Sequence, residues 1–215
     1  MSARARRTAA TAMHAVMALL VTYAFAAMFA RHAAGSLDGF GWSILKYFTV
    51  LSNIFQGLVS LVTCAWLVFG SERPSRPLIL LNYAAAVSVG LTFFTVMIWL
   101  GPFYGYAAMF VGSNLHFHLI VPVLSMLTWC LLTEGRITAR EILFGLIPML
   151  LYGMWYIGNM AVNGIPGNDW YAFARGGWGG AAVSFVLMIA LTAGIAALLR
   201  LPHGKKDPSP RQNRK

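Results

Sequence analysis

Charged residues are scarce in this chain of 215 residues, of which only 10% are Asp, Glu, Lys or Arg. A typical soluble domain is about one quarter charged. Acidic side chains are the rarest, with six Asp and Glu against sixteen Lys and Arg, while hydrophobic residues make up 59% of the chain. This composition excludes an ordinary soluble domain and predicts an all-α, polytopic integral membrane protein.

Cysteine is nearly absent as well. The two cysteines, Cys64 and Cys130, both lie inside apolar runs, so they are expected to be small interior hydrophobes rather than a disulfide. The sequence has no C-x-x-C or H-E-x-x-H spacing. We therefore expect neither a metal site nor a cofactor.

Apolar runs of about 20 residues recur along the chain, and each is long enough to cross about 30 Å of hydrocarbon as a helix. They predict a bundle of six transmembrane helices. The expected spans are 12–33, 44–69, 78–100, 115–133, 141–162 and 180–200. The first follows the basic segment SARARRTAA, so a cleaved signal peptide is the alternative. Its apolar run is longer than the 7–15 residues usual for a signal peptide, which favours a span.

Basic residues are distributed unevenly between the two ends of these spans. Thirteen of the sixteen lie in the N-terminal segment, the second and fourth loops and the C-terminal segment, whereas Arg31, Lys46 and Arg175 lie on the other side. The positive-inside rule then places both termini in the cytoplasm. The positive charge is explained by topology and anionic lipid headgroups, so nucleic acid is not an expected partner.

The distribution of apolar and basic residues divides the chain into two segments. Residues 1–203 form the transmembrane domain, and the polar, basic segment 204–215 is expected to be a disordered cytoplasmic tail. The loop NGIPGNDWYAFARGGWGG before the last span is rich in aromatic residues. It is interpreted either as an interfacial belt or as a lid over a pocket that opens outward.

Polar residues in the second span follow a helical spacing. Ser52, Asn53 and Gln56 stand three, four and seven positions after Thr49, so the four share one face. A polar face of this kind turns toward other helices rather than toward lipid. Hydrogen bonding between helices is its common role, and a functional pocket is the alternative.

The fourth span begins SNLHFHLIVPV and contains two histidines. His116 and His118 are two residues apart, about 200° around a regular helix, so both cannot face one pocket. Counted from the outer end, His118 reaches a depth similar to that of Thr49, while His116 is expected at the interface. Ser125 shares the face of His118.

The fifth span carries a polar stripe of its own. Tyr152, Tyr156, Asn159 and Asn163 occur at offsets of zero, four, seven and eleven residues. Tyr156 and Asn159 reach the same outer layer as the polar groups of the second and fourth spans. Ionisable groups within a membrane usually mark function.

Imidazole is the side chain that titrates near neutrality, so a histidine in this layer suits the removal of a proton from a hydroxyl. A hydroxyl activated in this way is a nucleophile for acyl transfer. Thr49 is the preferred hydroxyl for His118, with Ser52 and Ser125 as alternatives. Structural packing of polar groups is the default interpretation on physical grounds alone.

KYFTVLSN in the second span and HLIVPVLSMLTW in the fourth resemble the androgen-induced-gene family and its bacterial six-span relatives. That family includes the androgen-dependent tissue-factor-pathway-inhibitor-regulating protein. The segment PMLLYGMWYIGN resembles the fifth span of the same family. The resemblance implies an intramembrane hydrolase for fatty acid esters of hydroxy fatty acids, located in a bacterial inner membrane and acting on membrane lipids or lipid-like esters.

The resemblance assigns Thr49 as the nucleophile and His118 as the base, with His116 as a competing alignment. Asn53, Tyr156 and Asn159 are then expected to line the site or to bind the oxyanion. Arg175 is the candidate partner for a substrate carboxylate.

Three alternatives remain open. The same pocket is compatible with binding or transport of a lipid or small molecule without catalysis, and the same pair of residues is compatible with acyl transfer. A third alternative is haem ligation by His118 with His14 or His32, although His14 lies near the opposite end of the membrane.

Overall fold

The computed structural model describes residues 1–30, 41–70 and 74–203. Over these residues the chain is helical and has no strand, and six helices are long and apolar enough to cross a membrane. This confirms the predicted six-helix bundle. The helices are α1 (Ala3–Phe29), α2 (Phe48–Phe69), α3 (Arg76–Tyr104), α4 (Ser113–Leu132), α5 (Ile142–Asn163) and α6 (Trp178–Arg200).

The two ends of the bundle are distinct. One end, here called the loop end, carries a 3₁₀ helix at Gly41–Lys46, the connection 105–112 and the long loop 164–177. The other, here called the terminus end, carries the N-terminus, the connection 133–141 and a 3₁₀ turn at Leu201–His203. The segment 204–215, predicted as a disordered tail, lies outside the described residues.

α1 begins at Ala3, nine residues before the predicted start of the first span. The Ser2 hydroxyl accepts a hydrogen bond from the Ala5 amide at 3.2 Å, which caps the helix. Alanine and arginine are strong helix formers, so the basic segment extends the apolar helix toward the terminus end.

α3 is the central helix. About 67% of its most apolar window is buried, the largest share among the six spans. Small residues on this helix, among them Ala85, Ala86 and Gly90, allow neighbouring helices to approach closely. Tyr83 then fastens α6 to it by donating a hydrogen bond to the Ala196 carbonyl at 2.6 Å.

α2 turns its polar face into the bundle. Its buried polar side chains are Thr49, Ser52, Asn53, Gln56, Ser60 and Thr63. The Gln56 amide donates to Ser60 at 2.9 Å and accepts from the Ser125 hydroxyl of α4 at 2.6 Å. Ser60 in turn contacts Nδ1 of His14 on α1 at 3.3 Å. The predicted inward orientation of this face is therefore confirmed.

The terminus end is held by arginines. Arg7 donates two hydrogen bonds to the Leu67 carbonyl at 2.9 and 2.6 Å, which caps the C-terminus of α2. Arg76 pairs with Glu141 before α5. Slight burial raises the pKa of Glu141, but hydrogen bonds from Thr138 and Arg76 outweigh it and hold that pKa below its usual range.

Gly57 sets the spacing between α1 and α2. A Cβ atom at this position would lie 2.7 Å from Cγ1 of Val21. We expect Gly57→Ala to lower the free energy of unfolding by about 1–3 kcal/mol, because the crowded helices must separate. Unfolding of the purified protein in detergent, followed by circular dichroism, measures the change.

Gly158→Ala is the matched control, since a Cβ atom there meets nothing within 4 Å. It should change stability by no more than about 1 kcal/mol, the difference in helix propensity. Combining Gly57→Ala with Val21→Ala should recover part of the loss. Equal effects of the two glycine substitutions would contradict close packing at Gly57.

Candidate functional site

A narrow, mainly apolar cavity with a free interior of about 60 Å³ lies at the loop end between α2, α3, α5 and α6. Its polar groups are hydroxyls. They belong to Thr49, Thr92, Thr95, Tyr152, Tyr156 and Tyr171. The walls are otherwise formed by Leu, Ile, Met, Phe and Ala side chains. Such a cavity suits an apolar ligand that presents a few hydrogen-bonding atoms at one side.

Thr49 lies in the first turn of α2 and is 5% exposed. The helix begins after Tyr47, which has extended backbone geometry and provides no side-chain cap. The Phe48 amide instead donates to the hydroxyl of Tyr171 at 2.8 Å. A residue of the loop 164–177 therefore satisfies the start of α2, directly beside Thr49.

Tyr171 is 7% exposed, and its hydroxyl accepts the hydrogen bond of the Phe48 amide. Burial raises the pKa of Tyr171 to about 12, although hydrogen bonding with Tyr152, Phe48 and Thr49 opposes that rise. The phenol is therefore protonated at neutral pH. It is a neutral hydrogen-bonding group against the Thr49 hydroxyl.

The loop 164–177 folds over the cavity as a lid. Both oxygens of the Asp169 carboxylate accept backbone hydrogen bonds, from the Phe173 amide at 2.9 Å and from the Ala174 amide at 2.8 Å. The Tyr156 hydroxyl also donates to this carboxylate, which ties the loop to α5. Of the two interpretations of this loop, the lid agrees with the position of Tyr171 and Phe173 in the cavity wall.

His118 is 1% exposed and lies in a π-helical turn of α4, His116–Ile120. Its Nδ1 is 2.8 Å from the Met109 carbonyl oxygen. Because a carbonyl oxygen only accepts, we assign the proton to Nδ1 and the lone pair to Nε2. Among the described residues, Nε2 is buried and has no hydrogen-bond partner.

His116 is separated from this interior. It is half-buried, packs against the ring of Tyr23 at 5.6 Å between centroids, and contacts the Gly112 carbonyl through Nδ1 at 3.2 Å. The two histidines therefore face different surroundings, as predicted. His118 is the one that turns into the bundle.

Asn53 links the helices that carry Thr49 and His118. Its amide nitrogen donates to the Thr49 carbonyl at 2.8 Å and to the Phe117 carbonyl at 3.1 Å. Within the described residues, however, no hydrogen bond joins Thr49 to His118, and His118 is not part of the cavity wall. The two side chains lie on adjoining segments and are not hydrogen-bonded to each other.

Several buried polar atoms near this junction have no partner among the described residues. They are Oδ1 of Asn53, Oγ of Ser113, Oδ1 of Asn114 and Nε2 of His118. Asn114 stands four residues before His118, and the two side chains contact adjacent carbonyls, those of Ala108 and Met109. Unpaired acceptors buried this deeply favour a bound donor such as water.

Three of the predicted lining residues lie outside the cavity wall. Asn159 donates to Asn168 at 3.1 Å and accepts from Asn163 at 2.9 Å, so it secures the start of the loop 164–177. The Arg175 guanidinium lies 4.0 Å from the ring centre of Phe103. The Asn53 amide donates to backbone carbonyls instead. None of these three side chains lines the cavity, whereas Tyr156 does.

Comparison with known proteins adds no assignment: no family model, curated protein or solved structure matches this chain.

Replacing Tyr171 by Phe tests how the lid is anchored. The substitution leaves the Phe48 amide without its acceptor, which costs about 1–3 kcal/mol. If the loop alone opens, proteolysis within 164–177 should become about 5- to 150-fold faster, since that factor corresponds to 1–3 kcal/mol. Limited proteolysis in detergent micelles measures the rate.

Tyr104→Phe is the control, because Tyr104 is an exposed tyrosine at the same end of the bundle. Its cleavage rate should equal that of the unaltered protein. An unchanged rate in Tyr171→Phe would mean that the Tyr171 hydroxyl does not hold the lid.

Proposed function

We propose that this protein is an intramembrane lipid-ester hydrolase in which Thr49 is the nucleophile and His118 is the general base. The observation that carries the proposal is the buried imidazole of His118, whose Nδ1 contacts a carbonyl oxygen while Nε2 is left without a partner. The resemblance of the second and fourth spans to the androgen-induced-gene family agrees with this assignment.

The Met109 carbonyl takes the part that a carboxylate has in a catalytic triad. It fixes the ring orientation and the tautomer of His118, so that the basic nitrogen is the one that is free to accept a proton. No acidic residue is needed for this purpose. The pair is a dyad supported by the backbone.

In the proposed reaction, Nε2 of His118 accepts the proton of the Thr49 hydroxyl as the oxygen attacks the ester carbonyl. The tetrahedral intermediate collapses to an acyl-threonine, and the imidazolium returns its proton to the departing alcohol. Water then attacks the acyl-threonine with His118 again as the base. The fatty acid is released and the Thr49 hydroxyl is restored.

Oxyanion stabilisation is available where α2 begins. The Phe48 amide points at the Tyr171 hydroxyl, and both lie beside Thr49. A substrate oxygen that replaces the phenol would accept a hydrogen bond from the Phe48 amide. A substrate oxygen that approaches the phenol would accept a hydrogen bond from the Tyr171 hydroxyl. Donors positioned in this way are worth about 10²–10³ in rate.

Thr49 and His118 are not hydrogen-bonded to each other in the resting structure, so the reaction needs a rotation of the Thr49 side chain or a bridging water. Contacts between catalytic groups commonly tighten only when substrate is bound. The unpaired oxygens of Asn53 and Asn114 support the second route, because they accept the hydrogens of a water placed near Nε2.

The apolar walls of the loop-end cavity match the chemistry of an acyl chain, which would enter sideways from the lipid and widen the narrow interior. The charge bias of the sequence places both termini in the cytoplasm and the loop end outside, and the resemblance suggests a bacterial inner membrane. We therefore propose membrane lipid esters as substrates. Transfer of the acyl group to another lipid uses the same first step.

Binding or transport without catalysis is the second candidate. It is favoured by the absence of His118 from the cavity wall, which leaves an apolar chamber with hydroxyl groups only. In this case the cavity would retain a lipid that it does not change.

Labelling of the purified protein with a fluorophosphonate probe separates the two candidates. We expect labelling to be lost, by on the order of 10³-fold, in Thr49→Ala and in His118→Gln. Thr49→Ser should retain labelling, since it keeps the hydroxyl. Hydrolysis of defined lipid esters in liposomes should follow the same order.

Ser52→Ala and His116→Gln are the matched controls. Ser52 is a buried hydroxyl of the same helix, hydrogen-bonded to Thr92 at 3.0 Å, and His116 is the half-buried neighbour of His118. Both should label as the unaltered protein does. Full labelling of Thr49→Ala would reject Thr49 as the nucleophile. If the unaltered protein is not labelled but retains lipid in native mass spectrometry, the binding function is favoured.

A further inference from the structure

A second, larger cavity opens at the terminus end, and we call it the terminus-end vestibule. It encloses about 1980 Å³, including open space at its mouth. Its wall combines polar and apolar surface contributed by the start of α1, the end of α2, the start of α3 and the end of α4. The residues that carry polar or charged side chains are Arg4, Arg6, Arg7, Thr8, Thr11, His14, Thr63, Asn82, Thr133 and Glu134.

Among the residues that the structure describes, positive charge dominates the mouth, where three arginines accompany one glutamate. Arg7 donates hydrogen bonds to the Leu67 carbonyl near the end of α2. Arg6 pairs through Nη1 with Glu134 at 3.0 Å, but its Nε is buried and has no partner among the described residues. Arg4 is exposed and forms no hydrogen bond or ion pair within the described part of the chain.

The floor of the vestibule is polar although it lies among the helices. His14, Thr63 and Asn82 are 4%, 3% and 6% exposed. His14 stands ten residues after Arg4 on α1, which is about 15 Å along a helix. These groups are hydrogen-bonded within the protein: His14 contacts Ser60, and Asn82 donates to the Thr63 hydroxyl. The floor is therefore a fixed polar surface beneath the arginines of the mouth.

α1 contributes several small side chains to the wall of the vestibule. Its wall includes Ala3, Ala10 and Ala12. The basic tail 204–215 does not suit the cavity as an occupant, because its charges have the same sign as those of the mouth. The ligand is therefore expected to be an anion from outside the chain.

We propose that the terminus-end vestibule binds a phosphate-bearing anion through Arg4 and the free edge of Arg6. Guanidinium groups match phosphate oxygens with two parallel hydrogen bonds, and the first turn of α1 adds the positive end of the helix dipole. A rotation of the Arg6 guanidinium would bring its buried, unpartnered Nε to the phosphate while Nη1 stays with Glu134. The site lies at the opposite end of α2 from Thr49, so it is independent of the proposed hydrolase.

The phosphate can belong to a phospholipid headgroup or can be free in solution, and native mass spectrometry of the full chain in detergent distinguishes the two. The probes are dioctanoyl phosphatidylglycerol and dioctanoylglycerol, which has the same acyl chains without phosphate. Inorganic phosphate is the competitor. We expect the phospholipid to be retained and dioctanoylglycerol to be lost.

Displacement of the phospholipid by millimolar inorganic phosphate would support a soluble ligand, and retention would support a lipid headgroup. Arg4→Gln combined with Arg6→Gln should weaken phospholipid binding at least about tenfold, as expected for the loss of charge-assisted hydrogen bonds. Arg140→Gln, which removes an exposed arginine of the same end outside the vestibule, should leave it within about twofold.

Arg4→Gln alone keeps the test valid if the double variant fails to fold, because Arg4 has no structural partner in the described ranges; it should weaken binding at least about threefold. Equal retention of the phospholipid by the arginine variants would overturn the proposal. An equal loss in Arg140→Gln would do the same, since it would mean that net charge alone attracts the lipid.

Discussion

Everything in this bundle depends on the burial of one polar helix face. α2 carries Thr49, Ser52, Asn53, Gln56, Ser60 and Thr63 at helical spacing, and all six are buried. In hydrocarbon, each unpaired polar group costs several kcal/mol, so α2 cannot turn this face toward lipid. Its partners on α1, α3 and α4, such as His14, Thr92 and Ser125, therefore fix both the rotation of α2 and its neighbours.

The polar pairing along α2 is most complete toward the terminus end and weakest near the loop end. Ser60 and Gln56 satisfy each other and their neighbours, whereas Oδ1 of Asn53 has no partner among the described residues. The same holds for Nε2 of His118 on the adjoining helix. A fold that satisfies its other buried groups so thoroughly retains such exceptions where they serve a ligand, a water or a reaction.

Periodicity alone predicted much of this arrangement. The spacing of polar residues on α2 and the two-residue offset of His116 and His118 gave the correct inward faces, because a helix in lipid must sort polar from apolar surface. The position of Tyr171 was not predictable, since a loop follows no period and its aromatic residues fit a membrane interface equally well. The same reasoning predicted that Asn159 and Arg175 line the cavity. In the structure, Asn159 contacts Asn168 and Arg175 contacts Phe103 instead.

The two cavities differ because their walls receive different residues from the same helices. Near the loop end, the lid replaces lipid and water above Thr49 with aromatic rings, so hydrogen bonds within that cavity act in a medium of low dielectric constant. Near the terminus end, Arg4 and Arg6 lie at the open mouth of the vestibule. Their positive charge attracts anions there, although dissolved salt partly screens this attraction. A neutral ester is therefore suited to the first cavity and an anion to the second, and the network of Gln56, Ser60 and His14 separates them.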